Sequence, residues 1–322
     1  MPDLIEARKR TAEQNDMGNR LSLLPLHFPD AFMDPSLQMT ETPGQNGETA
    51  QSLTGNPILG FKKIDSAPAV NMYQSGNDYV VSADLAAGAE LDLLTGDIVN
   101  TGRKSVYGGP DPDFKRLTLS QALGKERAVH PDVFCLSNAQ FFSNLRGTSA
   151  PVAFPLKIEG KLVSEGFAAV SKHIGKRLTL QINSDSAKIV PFDNNNIEQF
   201  RNEKSNDAVV SLDPSVNIDG SAAAKVGRTF VGLGDPDENG NYKHAFLFVS
   251  SASTQDHAEN VLKDFGAQKI MMFDGGDSSQ LISKKEHLIE TGRTIPQFLA
   301  IIPAGTKNPG NLVDSPPDKS GL

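Results

Sequence analysis

Cysteine and tryptophan are almost missing from this chain: 322 residues contain one of the first and none of the second. A single thiol excludes an intramolecular disulfide, so the fold has to be held by apolar burial and hydrogen bonding, for which a hydrophobic content of 38% is enough. That thiol, Cys135, lies in the run Asp132-Val133-Phe134-Cys135-Leu136, where burial favours an inert thiol over a reactive thiolate. Positive charge is also short. Against 31 Lys and Arg stand 39 Asp and Glu, a net charge of -8, which opposes close approach to a polyphosphate backbone. The lysines are scattered and form no basic face, so nucleic acid is not an expected partner. No apolar run is long enough to cross a bilayer, the segment 21–28 being short and interrupted by Pro25 and His27. The basic start at residues 1–10 has no apolar stretch behind it, so neither a signal peptide nor a membrane partner is expected. Cytoplasmic synthesis follows, and a particle component or a substrate of signal-less export would read the same way.

Turn-forming and polar residues concentrate at the two ends. Residues 30–56 repeat Gly, Pro, Gln, Thr and Ser with few large apolar side chains, a composition that cannot offset the entropy of ordering. The expected organisation is a flexible N-terminal segment and linker over 1–57, with a short helix within 4–14, a domain over 58–303, and a flexible tail over 304–322. Inside the domain, alternation predicts strands over 79–85 and 89–93, and short apolar runs predict further strands at 133–136, 155–158, 178–182, 188–192, 208–212, 230–233, 244–249 and 269–273. The glycines and Asn239 between the strands at 230 and 249 supply a hairpin turn. Thr118 starts a helix through Leu123 by accepting an orphan amide bond. Ala258, Val261, Leu262 and Phe265 form the stripe of a second helix, which Gly266 ends. The pattern predicts an α+β domain, a mixed β-sheet core with packed helices.

Chemistry concentrates just past the strand at 269–273, in Asp274-Gly275-Gly276-Asp277-Ser278-Ser279. Two glycines let the chain turn sharply and expose its amides, while two carboxylates and two hydroxyls share one small loop. An ordinary glycine-rich turn is the plain alternative. The run lacks the alternation of a calcium-binding EF-hand and the Gly-Lys-Ser/Thr of a phosphate loop. The six histidines show no metal-site spacing, and His244 and His257 are more simply structural or exposed. No metal is assigned, although Asp274 and Asp277, with Ser278 and backbone oxygens, leave room for Ca²⁺ or Mg²⁺.

Five segments in order, Asn138-Ala139-Gln140-Phe141-Phe142, Gly227-Arg228-Thr229-Phe230-Val231-Gly232, residues 258–266, residues 273–280 and Arg293-Thr294-Ile295-Pro296, resemble the successive signatures of the phosphodiester glycosidase family. The resemblance spans residues 70–302. It implies a hydrolase that cleaves the glycosidic bond of a sugar-1-phosphodiester, the best-known family activity being removal of an N-acetylglucosamine cap from a mannose phosphodiester. Carried over, the catalytic residues are Asn138, Arg228 and Asp274, and the substrate-binding residues are Gln140, Gly275, Gly276, Asp277, Ser278 and Arg293. Arg228 would pair with phosphate oxygens, or form a surface salt bridge. Asn138 would orient a sugar hydroxyl or phosphate oxygen, or cap a loop. Asp274 would serve as nucleophile or base, with Asp277 as a second carboxyl. The chain departs from the family in two places. Ala139-Gln140 stands where Gly-Gly is usual, and Asp277 replaces the third glycine of Asp-Gly-Gly-Gly-Ser. These departures leave a second expectation, a catalytically inactive carbohydrate- or phosphate-binding component of a larger assembly. A sugar phosphodiester or glycan is the expected partner in either case.

Overall fold

A computed structural model describes residues 48–144, 147–168 and 170–305. Its largest sheet includes β4 (Asp78–Asp84), β15 (Val226–Pro236), β16 (Tyr242–Ser253) and β17 (Lys269–Met272), and these strands are apolar on both faces. Val81, Ala83, Val231, Leu233, Leu247 and Val249 are buried on one side, and Val80, Phe230, Phe246 and Phe248 on the other. Such a sheet needs a cover on each face. The first face packs against a five-stranded sheet of β5 (Glu90–Thr95), β8 (Cys135–Asn138), β18 (Leu281–Ser283), β19 (His287–Ile289) and β20 (Gln297–Ile302), in the order β19-β18-β8-β20-β5. Leu91, Leu93, Cys135, Leu281, Leu299 and Ile301 are its share of that core.

Two helices cover the outer faces. The helix α1 (Leu119–Arg127) buries Leu119, Ala122 and Leu123 against Leu136, Phe298 and Ala300 of the smaller sheet. It starts with a capping box: Thr118 Oγ1 accepts from the Gln121 amide at 3.2 Å, and Gln121 Oε1 accepts from the Thr118 amide at 3.0 Å. A short α2 (Ile197–Arg201) follows later in the chain. The third helix, α3 (Gln255–Phe265), buries Ala258, Val261, Leu262 and Phe265 against Phe230, Phe246 and Phe248, and ends at Gly266, whose φ is 110°.

The expected α+β fold with a mixed sheet is corrected by this arrangement. Among the described residues every strand pairing is antiparallel, and three short α-helices, two of them the outer covers, accompany a structure that is predominantly β. Alternation does not encode the direction in which neighbours run. Strands as short as β7 (Asp113–Lys115), β18 and β19 also fall below the length at which a period of two is visible.

The larger sheet also closes a ring of pairings through β12 (Arg177–Ile182), β13 (Ala187–Pro191) and β14 (Asp207–Leu212), in the order β16-β15-β17-β14-β12-β13 and back to β16. The closure rests on single residue pairs at two seams, Leu212↔Met272 and Ala187↔Tyr242. The hairpin runs from β15 to β16 with Gly240 in its turn at a φ of 71°. Cys135 is fully buried, and burial pushes its thiol well above the usual range. Within the expected linker, β1 (Thr49–Gln51) pairs with β2 (Pro57–Ala67) and buries Ala50 in the core beneath α3. The helix expected within residues 4–14 lies outside the described residues. No helix among those described is long and apolar enough to cross a membrane.

Candidate active site

The sheet arrangement places the ends of β8, β15 and β17 side by side. Phe273, past the end of β17, donates its amide to Thr229 O at 2.9 Å, and the Asp274 amide donates to Ala139 O at 3.0 Å. Asn138, 1% exposed, pins the three segments together. Its Nδ2 donates to Asp274 O at 2.7 Å, and its Oδ1 accepts from Thr229 Oγ1 at 2.8 Å and from the Gln280 amide at 3.2 Å. Ser279 Oγ completes the network 3.1 Å from Thr229 Oγ1.

The glycines of this motif are explained by close backbone approach. A Cβ added at Gly227 would meet Gly276 O at 2.1 Å, and one at Gly275 would meet Gly227 O at 2.9 Å. Gly276 itself has a φ of 59°, in the left-handed region that a side chain disfavours. The strand and the 273–280 segment therefore touch main chain to main chain, which turns the Asp274 carboxyl into a fixed position.

That carboxyl is the chemically distinctive group. Burial pushes it from 3.8 up to about 6, against the opposing influence of Ser278, the Arg293 guanidinium and the Gly275 amide. The Gly275 amide donates to Asp274 Oδ1 at 3.0 Å. Ser278 Oγ is buried and near enough to favour the ionised form, but has no partner of good hydrogen-bond geometry. Asp277 lies exposed on the same turn, and its carbonyl accepts from Thr291 Oγ1 at 2.6 Å. The grouping of three potential metal-ligating side chains found among the described residues lies elsewhere, at Asp92, Glu126 and His130.

Arg293 is the cation that acts on Asp274. Its guanidinium carbon lies 5.2 Å from the centre of the Phe142 ring, and Arg116 approaches the same ring at 5.3 Å. Burial, then the neighbouring Arg293, lowers the Arg116 pKa, and its Nε donates to Thr294 O at 2.9 Å. Arg293 Nη2 also donates to Asn144 Oδ1, and Gln280 Nε2 holds the Arg293 carbonyl at 2.9 Å. Two guanidinium groups on one aromatic ring, beside a single half-buried carboxyl, form a surface suited to an anion.

Other expected site residues are placed differently. Arg228, 5% exposed, donates Nε to Ser253 O at 3.1 Å and Nη2 to Ser221 O and, at 3.2 Å, to Ala224 O. Alternation along β15 explains this: Gly227 and Thr229 face the Asp274 turn, and Arg228 points to the other side. Gln140, 2% exposed, accepts from the Phe154 amide through Oε1 at 2.9 Å, and its own amide donates to Gln297 Oε1 at 2.9 Å. Its Nε2 is buried without a partner. Thr229, Gln280, Gln297 and Arg116 are not among the residues to which the sequence points. Thr229 is found by extending the alternation rule to its neighbour Arg228. Arg116 carries no such signal, since it comes beside Arg293 through a pairing of segments far apart in the chain, the bridge Leu117↔Ile295. Two surface hollows lie apart from these groups, one between Thr179 and Glu203 and one along Gln74, Tyr79, Ser251 and Leu288, and neither collects a comparable set of charges.

No family model matches the chain, and the comparison with curated proteins finds no match either. Among solved structures it is similar to the catalytic domain of zebrafish N-acetylglucosamine-1-phosphodiester alpha-N-acetylglucosaminidase, auto-inhibited by its pro-peptide, at 15% identity over 79% of this chain and 87% of that one, with a TM-score of 0.45. A hypothetical protein from Synechocystis is similar at 10% identity, 75% and 64% coverage and a TM-score of 0.40. A putative exported protein from Burkholderia pseudomallei is similar at 12% identity, 73% and 74% coverage and a TM-score of 0.39. These are distant likenesses, and the functional argument rests on the site.

Proposed function

We propose that the chain is a hydrolase that cleaves the glycosidic bond of a sugar-1-phosphodiester, with Asp274 as its carboxyl and Arg293 and Arg116 as its phosphate-binding cations. The observation that carries this is the half-buried Asp274 carboxyl, raised to about 6 and acted on by Arg293, whose guanidinium lies over the Phe142 ring. A carboxyl titrating there can take up and release a proton near neutral pH, as a base toward water must. In the ionised form it can instead attack the anomeric carbon. The bond that breaks joins that carbon to the phosphate oxygen, and the electron pair leaves on the phosphate. Such a leaving group needs positive charge more than a proton, which fits one carboxyl and two guanidiniums better than a pair of acids. Asn138 and Thr229 position Asp274 through its main chain in this reading, and Arg228 braces the loop at 221–224.

A second reading has a specific observation behind it. Asn138 Oδ1 and the Arg228 guanidinium are occupied by internal partners, which suits a sugar- or phosphate-binding component without turnover. Incubation with defined sugar-1-phosphodiesters, measuring free sugar and phosphomonoester together, separates the two. Hydrolysis releases both in equal amounts, whereas binding without release of either supports the second reading.

A further inference from the structure

Asp92 on β5 meets the C-terminal end of α1, where Glu126 occupies the last turn and His130 follows four residues later. The His130 amide donates to Glu126 O at 2.7 Å, which keeps the chain coiled and both side chains on one face. His130 Nε2 lies 3.9 Å from Asp92 Oδ2 and 4.0 Å from Glu126 Oε1, and one donor atom from each residue lies within 4.8 Å of the others. Glu126 is 3% exposed, and that same Oε1 is buried without a hydrogen-bond partner. Among the described residues no lysine or arginine pairs with Asp92 or Glu126. Asp207 stands close by, with Oδ1 accepting from the Glu159 amide at 2.8 Å and Oδ2 from the Leu93 amide at 3.3 Å.

We propose that Asp92, Glu126 and His130 bind one divalent transition cation of the zinc class, fastening β5 to the end of α1. A triangle with those edges has its centre roughly 2.5 Å or less from each corner, a few tenths of an ångström from ordinary zinc–nitrogen and zinc–oxygen distances. One imidazole with two carboxylates selects transition cations over Ca²⁺ and Mg²⁺, which prefer oxygen alone. The orphaned Glu126 Oε1 gains a partner, and the half-exposed sides of Asp92 and His130 leave the fourth position to water. Nothing in this site is shared with Asp274.

The full chain, stripped with a chelator, is dialysed against Zn²⁺ and separately against Ca²⁺, with bound metal measured per chain and thermal unfolding followed in each state. The expected result is one Zn²⁺ per chain, a higher unfolding temperature with Zn²⁺, and at least about tenfold weaker uptake in His130→Gln and Glu126→Gln. Replacement by Co²⁺ reads the site without any variant, since an imidazole–carboxylate set gives visible ligand-field absorption. Absence of stoichiometric Zn²⁺ and Co²⁺ uptake overturns the proposal. So does equal uptake of Ca²⁺, or uptake that survives in folded His130→Gln and Glu126→Gln but disappears in Asp274→Asn.

Discussion

Replacing Asp274 by Asn separates stability from chemistry. Burial raises this carboxyl from 3.8 in the ordinary state to about 6 in the folded one. The folded protein therefore binds the proton more tightly than the unfolded chain does. Its contribution to stability is most favourable below the lower of those two values and is lost as pH rises through the window between them. The two-unit difference corresponds to at most ~3 kcal/mol of destabilisation at neutral pH. Asn keeps the shape and the acceptor for the Gly275 amide and carries no charge, so it removes this term. Denaturant unfolding of parent and Asp274→Asn is expected to converge near about pH 4 and to separate by up to ~3 kcal/mol near about pH 8, the variant being the more stable. In the same preparation kcat on a sugar-1-phosphodiester is expected to fall by about 10² or more, the usual scale for losing a general base. Parallel stability profiles across that pH range would show that the carboxyl is not held in its neutral form. A folded variant whose kcat stays within about twofold of the parent removes Asp274 from the mechanism, whatever its stability.

The two arginines should fail differently. Arg293→Ala is expected to raise KM about tenfold or more with little change in unfolding, while Arg228→Ala, which strips buried carbonyls of their donor, should cost about 3 kcal/mol in denaturant unfolding; the reverse pattern returns Arg228 to the substrate. Gly227→Ala puts a methyl 2.1 Å from Gly276 O, so it should lose about 1–3 kcal/mol and depress turnover together, as measured by unfolding and initial rates. Asp277→Gly, at an exposed position, is expected to stay within about 0.5 kcal/mol of the parent, with a rate indifferent to chelation if no cation sits at that turn. Removal of residues 1–56 should lower the unfolding midpoint relative to removal of residues 1–47, because the longer cut takes away the buried Ala50 and the Leu53 side chain packed on Gly266.

Where the apolar pattern was long, it was enough. The strands around Val80, Phe230 and Phe246, the cap at Thr118 and the stop at Gly266 all follow from rules that operate within about ten residues. The antiparallel sheets do not, because pairing direction is decided between segments such as β5 and β20, some 200 residues apart. Composition alone implies a linker up to residue 57. Ala50 is small enough for a three-residue strand to bury it without leaving a compositional trace.

The site follows the same division. Asp274, Gly275 and Gly276 stand out as carboxyl and adjacent glycines just past a strand, a pattern an ordinary turn also shows, and the structure supplies the reason for each glycine: Gly275 meets the Gly227 carbonyl and Gly276 takes a left-handed φ. The family resemblance points to Arg228, yet a strand offers a residue to one face only, and the neutral Thr229 faces the turn. Charge identifies which residues are able to pair with an anion, but alternation decides which of them face the turn. Arg293 has the geometry to act because Gln280 holds its backbone and Phe142 supports its side chain. Arg116 reaches the same ring from a segment 177 positions earlier in the chain. A cation whose partner lies that far away is invisible to any local motif, and its presence beside Arg293 makes the surface around Phe142 positive in a chain whose net charge is -8. On the proposed reading, that local excess of two guanidiniums over one raised carboxyl is what draws phosphate to this surface in an otherwise acidic chain.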